Sequence, residues 1–517
     1  MSSRSFIYGT AVLLAASLFN RSIGFIYQIM MMRLIKPEGV GLFSMIFPIY
    51  VMLLVVASLG IPVAISKLVA EEVAVDNLPG AYRVFKISLA IIIVSAILIA
   101  SLLFFGSPLL IKYLFPNPKV YLCFVTLVPG ILIVSVCSAF RGFFQGLQRM
   151  SPTAITQAVE QLVRVTAGLS IAWFLLPRGV EYASVGISLG VICGEFMGFL
   201  FMLYIYLTRR PHYKRKSFVS PEPYRETLRR IFSMGIPVTL TRFTSTALMS
   251  ADALIIPRRL QHAGMSLSDA TSTYGQFVGI AEALFYTPGV VTVALATALI
   301  PAVSDAVAQG KIYLVRSRIE DAVRITLLLG CLVASIFFVL PRELSQVLFG
   351  YGSAGGALFI LALSGPFLYL QQTVNGVLQG LGRPDIPFKN LLKASVVKVL
   401  GIYYLTSIPG FGIQGTALAL GLTYIIMCIL NYHALNKLTN LRIDMSSCVL
   451  KPALSAAAAG AVMFQLKNLF SSITSGFSML FICLGAGLGA YLLILYIIGG
   501  ISSSDIRRMK MILKQNK

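Results

Sequence analysis

The feature that most constrains the 517-residue chain is a succession of long apolar stretches separated by short polar breaks. A helix needs about 20 apolar residues to cross the hydrocarbon core of a bilayer. About 14 such stretches follow one another, near residues 6–31, 41–66, 84–110, 120–147, 153–176, 181–208, 231–256, 273–303, 320–340, 356–380, 386–407, 412–435, 449–470 and 474–499. Only 12% of residues are charged and 57% are hydrophobic, whereas a soluble domain is about a quarter charged. That is too little charge to coat several soluble domains, which excludes a soluble enzyme, a fibrous protein and a disordered chain. A helix satisfies its own backbone in lipid, so the expected fold class is an all-α integral membrane protein. The first stretch follows an early Arg4 and has no short apolar region ending in a small-residue cleavage site. It reads as an uncleaved first span.

The formal net charge is +23. In a soluble chain this would point to nucleic acid; here it reads as the excess of Lys and Arg on cytoplasmic loops, and no nucleic-acid partner is expected. Placing the N-terminus inside and alternating puts basic residues on the cytoplasmic side by about three to one. An even number of spans puts both termini in the cytoplasm. The one long polar loop, residues 209–230, carries Arg209, Arg210, Lys214, Arg215, Lys216, Arg225, Arg229 and Arg230. It is the natural midpoint, because the flanking halves resemble each other. Gln145-Gly146-Leu147 and Arg149 match Gln379-Gly380-Leu381 and Arg383. Val163-Arg164-Val165 matches Val397-Lys398-Val399, Ile61-Pro62 matches Ile300-Pro301, and Arg33-Leu34 matches Arg259-Leu260, all in the same order. The expected organisation is a first lobe of six spans (1–208), a basic linker (209–230), a second six-span lobe (231–436), and two further spans with a basic tail (437–517). Six spans per copy make a parallel repeat, which transporters use to build a central cleft.

Polar side chains inside spans are costly and carry the best functional signal. Asn20 and Arg21 sit mid-span in the first stretch. Gln157, Glu160, Gln161 and Arg164 share one face of the fifth at helical spacing. Thr239, Arg242 and Thr246 do so in the seventh, and Gln371, Asn375 and Gln379 in the tenth. Glu195, Glu282 and Lys398 stand alone in the sixth, eighth and eleventh. Such stripes face partner helices or water, not lipid. Glu160 and Arg164, one turn apart, either pair as a packing unit or line a cavity. Arg21 and Arg242 have no acidic residue one turn away, so they either line a cavity or pair across helices. Lys398 either lines the cavity or snorkels; Glu195 and Glu282 either act in coupling or neutralise an arginine. Pro62 and Pro301 are hinge candidates, because a mid-span proline frees a carbonyl; a static kink is the alternative.

Enzyme signatures are missing. There is no phosphate-binding glycine loop, no nucleophile elbow and no HExxH pair. His212, His262 and His433 are scattered, and the seven cysteines form no CxxC pair, so no metal, cofactor or disulfide framework is expected.

The runs Glu38-Gly39-Val40-Gly41-Leu42 and Gly60-Ile61-Pro62-Val63-Ala64-Ile65-Ser66-Lys67-Leu68-Val69-Ala70 resemble the polysaccharide-transport branch of the multidrug/oligosaccharidyl-lipid/polysaccharide exporter superfamily. Arg141-Gly142-Phe143-Phe144-Gln145-Gly146-Leu147-Gln148 and Glu160-Gln161-Leu162-Val163-Arg164 extend the resemblance, which covers the whole chain. It implies two six-helix lobes in a V with two extra helices. It also implies flipping of an undecaprenyl-linked saccharide such as lipid II across the cell membrane, here for spore cortex peptidoglycan. The related cavities are cationic, with arginines from the first and eighth spans. Arg21 fits the first position; the eighth span carries Glu282 instead, and the nearest second-lobe arginine is Arg242. A pyrophosphate requires shielded cationic donors, and Arg21, Arg242, Arg164 and Lys398 are the candidates. Two other functions stay open. A cation antiporter needs a cavity carboxylate, which Glu160, Glu195 or Glu282 could supply. A non-transporting scaffold recruiting cell-wall synthases could use the basic loop, but has no need of mid-membrane arginines. A monomer is expected.

Overall fold

The computed structural model describes residues 3–211, 223–440, 444–470 and 476–500, with side chains from residue 16 onward. Lys214, Arg215, Lys216, His212 and the basic tail after residue 500 lie outside the described residues. Among those described there is no strand. The helices are α1 (Ser3–Ser58), α2 (Ile61–Ala74), α3 (Leu78–Leu114), α4 (Tyr121–Gly146), α5 (Ser151–Leu175), α6 (Val180–Arg209), α7 (Tyr224–His262), α8 (Leu267–Gln276) and α9 (Ala283–Tyr286). They continue as α10 (Gly289–Ala308), α11 (Ile312–Val339), α12 (Pro341–Leu344), α13 (Gly355–Ala362), α14 (Gly365–Gly380), α15 (Asp385–Leu405), α16 (Gly412–Thr439), α17 (Lys451–Phe470) and α18 (Phe477–Ile497).

Ten helices among the described residues are long and apolar enough to cross a membrane, or eleven if α13 and α14, bent by 58°, count with the preceding turn as one span. The fourteen expected spans are compatible with this. Element α1 is two helices joined at Lys36, whose φ is 61° and which precedes Pro37. Helices α7 and α15 have 39 and 21 residues, enough length to cross, but are too polar to count as apolar spans. These are the helices that carry Arg242 and Lys398.

The chain forms two compact units, residues 1–261 with 265–275, and residues 262–264 with 276–517. In the first unit α2, α3, α4 and α6 close around Phe85, Phe140, Phe143 and Tyr206, whose rings lie 4.7–6.0 Å apart. Helix α7 belongs to this unit and is fastened at its ends. Arg230 pairs with Glu71 and Glu72 of α2 (2.9 and 3.3 Å), and Arg258 donates to the carbonyls of Tyr113 and Leu114 (2.9 and 2.7 Å). Between these anchors α7 exposes Ile236, Leu240 and Arg242. In the second unit α10, α11, α14 and α16 share a core of Val303, Ile319, Val374, Val377 and Leu435, all fully buried. Helices α17 and α18 pack on α11, where the Tyr491 hydroxyl donates to the Leu328 carbonyl at 2.8 Å.

The internal repeat is visible as a repeated contact. Gly142 and Gly146 of α4 lie against the carbonyls of Pro62 and Ser66 in α2. Gly376 and Gly380 of α14 lie against those of Ala296 and Ile300 in α10, in the same register. Each glycine lets two backbones touch where a Cβ would collide at 2.5–2.9 Å. The Gln145-Gly146-Leu147 and Gln379-Gly380-Leu381 match therefore reflects equivalent packing. The Ile61-Pro62 and Ile300-Pro301 match does not, because Ala296 stands where Pro62 stands.

Candidate functional site

The first unit buries a group of four charges. Helix α5 presents Glu160 and Arg164 one turn apart, α4 adds Arg141 and α6 adds Glu195. Arg141 Nη2 donates to Glu160 Oε2 at 2.7 Å. Arg164 Nη2 donates to Glu160 Oε1 at 2.5 Å and to Glu195 Oε1 at 2.7 Å. All four side chains are less than one-fifth exposed. Two guanidinium groups face two carboxylates, so the formal charges cancel. Buried ion pairs hold only when each partner satisfies the other, and here every charge has one.

The glycines of α6 bring the helices close enough for this. Gly186, Gly190, Gly194 and Gly198 recur every four residues and face α5. A Cβ on Gly190 would meet the Gly168 Cα at 2.2 Å, and one on Gly194 would meet the Glu160 carbonyl oxygen at 2.7 Å. Small residues at this spacing let helix backbones approach in lipid. Glu195 follows Gly194 directly and is thereby delivered to Arg164.

Further buried polar atoms lie on α1. The Tyr27 and Tyr50 hydroxyls and Asn20 Oδ1 are buried and make no hydrogen bond among the described residues. A Cβ on Gly24 would lie 3.8 Å from the Gln161 amide, which places the Asn20–Tyr27 segment of α1 along the polar stripe of α5. Gln157 is half-buried on that stripe.

Arg21 and Arg242 differ from the buried arginines. Both side chains are exposed, and neither forms an ion pair or side-chain hydrogen bond with a described residue. The hydroxyls flanking Arg242 are satisfied within α7: Thr239 donates to Gly235, Thr241 to Pro237, and Thr246 to the carbonyl of Arg242 at 3.0 Å.

In the second unit three neutral amides are joined by hydrogen bonds. Asn390 Nδ2 donates to Asn431 Oδ1 at 2.7 Å, and Asn431 Nδ2 donates to Asn375 Oδ1 at 2.9 Å. Asn375 occupies the repeat position of Arg141, and Lys398 that of Arg164. Lys398 is 8% exposed and Gln371 is 7% exposed. Glu282 is half-buried at the end of the π-helical segment Phe277–Glu282. Pro62 lies in the first turn of α2, just after Leu59 and Gly60, both with positive φ. Pro301 lies inside α10, whose own break from α9 comes earlier, at Thr287 and Pro288.

Sequence reasoning reached Glu160, Arg164 and Glu195 but not Arg141, Tyr27 or Tyr50. The four-residue glycine spacing in α6 would have pointed to the α5–α6 contact. Nothing local in the sequence marks Arg141 as a partner of a helix that starts after the next loop.

The polysaccharide biosynthesis protein family model matches residues 6–307, and the MatE model matches residues 277–404. The chain is 30% identical over 515 residues to "Stage V sporulation protein B" of Bacillus subtilis (strain 168), covering 99% of each chain. It is 24% identical over 424 residues to "Lipid II flippase MurJ" of the same organism, covering 77% of each. Two solved structures share the fold. One is a lipid II flippase MurJ in an inward closed conformation, with TM-score 0.70, 13% identity, and coverage of 93% of this chain and 97% of that one. The other is an inward-facing multidrug resistance MATE family transporter, with TM-score 0.67, 14% identity, and coverage of 82% and 94%. The membrane-spanning helices, the repeated glycine contact and these likenesses agree: the chain belongs to the polysaccharide biosynthesis protein family of the multidrug/oligosaccharidyl-lipid/polysaccharide exporter superfamily, a multi-pass membrane transporter and not an enzyme.

Proposed function

We propose that the chain flips an undecaprenyl-linked saccharide of the lipid II kind across the cell membrane, with Arg21 and Arg242 as the cationic contacts for its pyrophosphate. The observation that carries this reading is the division among the spanning arginines. Arg141 and Arg164 are neutralised by carboxylates, whereas Arg21 and Arg242 have no such partner among the described residues and remain available to an anion. A guanidinium binds phosphate in bidentate fashion. The names of the two Bacillus relatives, a lipid II flippase and a stage V sporulation protein, support the substrate class and a role in sporulation, which we assign to spore cortex peptidoglycan synthesis. On this reading Arg164 acts within the buried charge group. Lys398, Asn20, Gln157, Gln371 and Asn375 line or support the path, and Pro62 and Pro301 mark bending points. The repeat lobes are 1–208 and 231–436, alternating access is their rocking, and both termini are cytoplasmic. The protein works as a monomer, with cell-wall synthases consuming its product.

The antiporter reading loses support, because Glu160 and Glu195 already hold arginines. The scaffold reading leaves two spanning arginines without a task. The test is flipping of NBD-labelled lipid II in proteoliposomes, read by dithionite quenching. Wild type accelerates flipping, and Arg21→Ala and Arg242→Ala each abolish most of the acceleration while the protein stays folded. Flipping that survives both substitutions sinks the site assignment; a folded wild type that does not flip lipid II sinks the substrate.

A further inference from the structure

A second cationic site lies at the other end of the first unit's helices, where α3 begins and α6 ends. A cavity of about 510 Å³ is bounded there by Tyr82, Arg83, Lys86, Tyr206, Arg210 and Tyr224. Three cations converge on it, and none of them pairs with a carboxylate among the described residues. Arg83 is the most constrained. Its guanidinium stacks over the Tyr224 ring at 4.2 Å, and its Nε is buried without a hydrogen-bond partner. Arg210 lies over the Tyr206 ring at 5.6 Å. The Tyr82 hydroxyl donates to the Pro211 carbonyl at 2.7 Å, which fixes the chain just after Arg210.

Aromatic faces orient the two guanidinium groups without neutralising them. Among the described residues neither fork is taken by a carboxylate, and Lys86 adds an exposed ammonium group. Three like charges around one cavity repel unless an anion sits among them. The size suits a phosphate group with its neighbouring atoms. The position selects the source. The cavity sits at the polar end of α3 and α6, next to Ile87, and α3 exposes Val94 and Leu98 beyond it while the last turns of α6 expose Tyr204 and Leu207. Cations at that depth meet lipid headgroups.

We infer that Arg83, Lys86 and Arg210 form a binding site for the phosphate of an anionic phospholipid headgroup, in the leaflet that contacts the start of α3. The site does not rest on the transport reading. The Tyr206 and Tyr224 rings flank the headgroup while the acyl chains lie along the exposed faces of α3 and α6.

The full-length protein in mild detergent is titrated with dioleoyl phosphatidylglycerol and, separately, with dioleoyl phosphatidylcholine, and retention is read by native mass spectrometry. The wild type retains the anionic lipid in preference to the zwitterionic one. Arg83→Gln and Arg210→Gln each weaken its retention by about tenfold, the loss of one charge-assisted contact. Lys86→Gln weakens it less, and Lys393→Gln, an exposed cation in the second unit, leaves it unchanged. Neither inorganic phosphate nor ATP displaces the lipid. Equal retention by wild type and all three pocket variants overturns the site. Displacement by phosphate or ATP overturns the lipid assignment in favour of a soluble anion. Lys86 is exposed, so its variant remains informative even if Arg83→Gln misfolds.

Discussion

At the scale of single residues, the chain uses arginine in two ways. Arg141 and Arg164 are internal counterions. Removing either leaves two buried carboxylates facing one guanidinium, and breaking a buried ion pair in this way costs about 3–5 kcal/mol. Arg141→Ala is therefore expected to lower the melting temperature strongly in a detergent thermal-shift measurement. Arg21→Ala, at an exposed side chain with no partner among the described residues, stays within about 0.5 kcal/mol of wild type. Equal stability of the two variants would mean that the four-charge group does not hold the helices. The contrast also separates a transport defect from a folding defect, because Arg21 holds no carboxylate among the described residues whereas Arg141 does.

At the scale of elements, packing here rests on backbone approach. Lipid tails are as apolar as leucine, so helices gain little by burying leucine against leucine and associate through close contact. Gly190→Val puts a side chain where 2.2 Å separates a new Cβ from the Gly168 Cα. Overpacking of this kind costs about 1–3 kcal/mol and pulls Glu195 away from Arg164. Gly485→Ala in α18 meets nothing within 4 Å and serves as the tolerated control. Comparable thermal shifts for the two would discount the glycine stripe as the reason for the α5–α6 contact. The start of the segment leading into α17 offers a pH prediction. The Ser447 hydroxyl (2.6 Å) and the Ser446 N–H (3.0 Å) donate to Asp444 and hold its carboxyl below the ordinary carboxylate range. A folded-state pKa below the unfolded one stabilises above the unfolded value, about 3.9. That contribution fades as pH falls through the folded value. Ser447→Ala removes the leading donor, so carbon-13 NMR of labelled aspartate is expected to show Asp444 titrating at higher pH than in wild type. An unchanged midpoint would rule out the hydroxyl as the cause.

At the scale of the whole molecule, the excess of basic residues predicts an orientation with both termini in the cytoplasm. In a cysteine-free background, Gln309→Cys in the loop after α10 is expected to resist a membrane-impermeant maleimide added to intact cells. Arg178→Cys and Pro409→Cys are expected to react. The reverse pattern would invert the topology and with it the leaflet assigned to each end of the path. The two units also carry the same packing with different electrostatics. In the register of the repeated glycine contacts Arg164 and Lys398 are equivalent, yet the first unit buries two arginines with two glutamates, whereas the second buries Lys398 and joins three asparagines. The repeat keeps the helix contacts, where an added Cβ collides, while the polar groups inside each unit differ.

The sequence by itself determined the all-α membrane class and the glycine match between the halves, because each rests on local composition or on a short motif. The apolar runs were unmistakable, the match around Gly146 and Gly380 held as a packing contact, and Glu160 and Arg164 were visible as neighbours one turn apart. Only the tertiary structure decided which charges meet. Arg141 pairs with Glu160 and Arg164 reaches Glu195 across helix contacts that no window of sequence contains. The Pro62 and Pro301 match, plausible as a dipeptide, failed in register because the backbone contact selects Ala296. The cavity of Arg83, Lys86 and Arg210 was equally hidden, since its cations come from two helices more than a hundred residues apart in sequence. Burial and approach are properties of several segments at once, and a polar residue's role follows from what is brought to it.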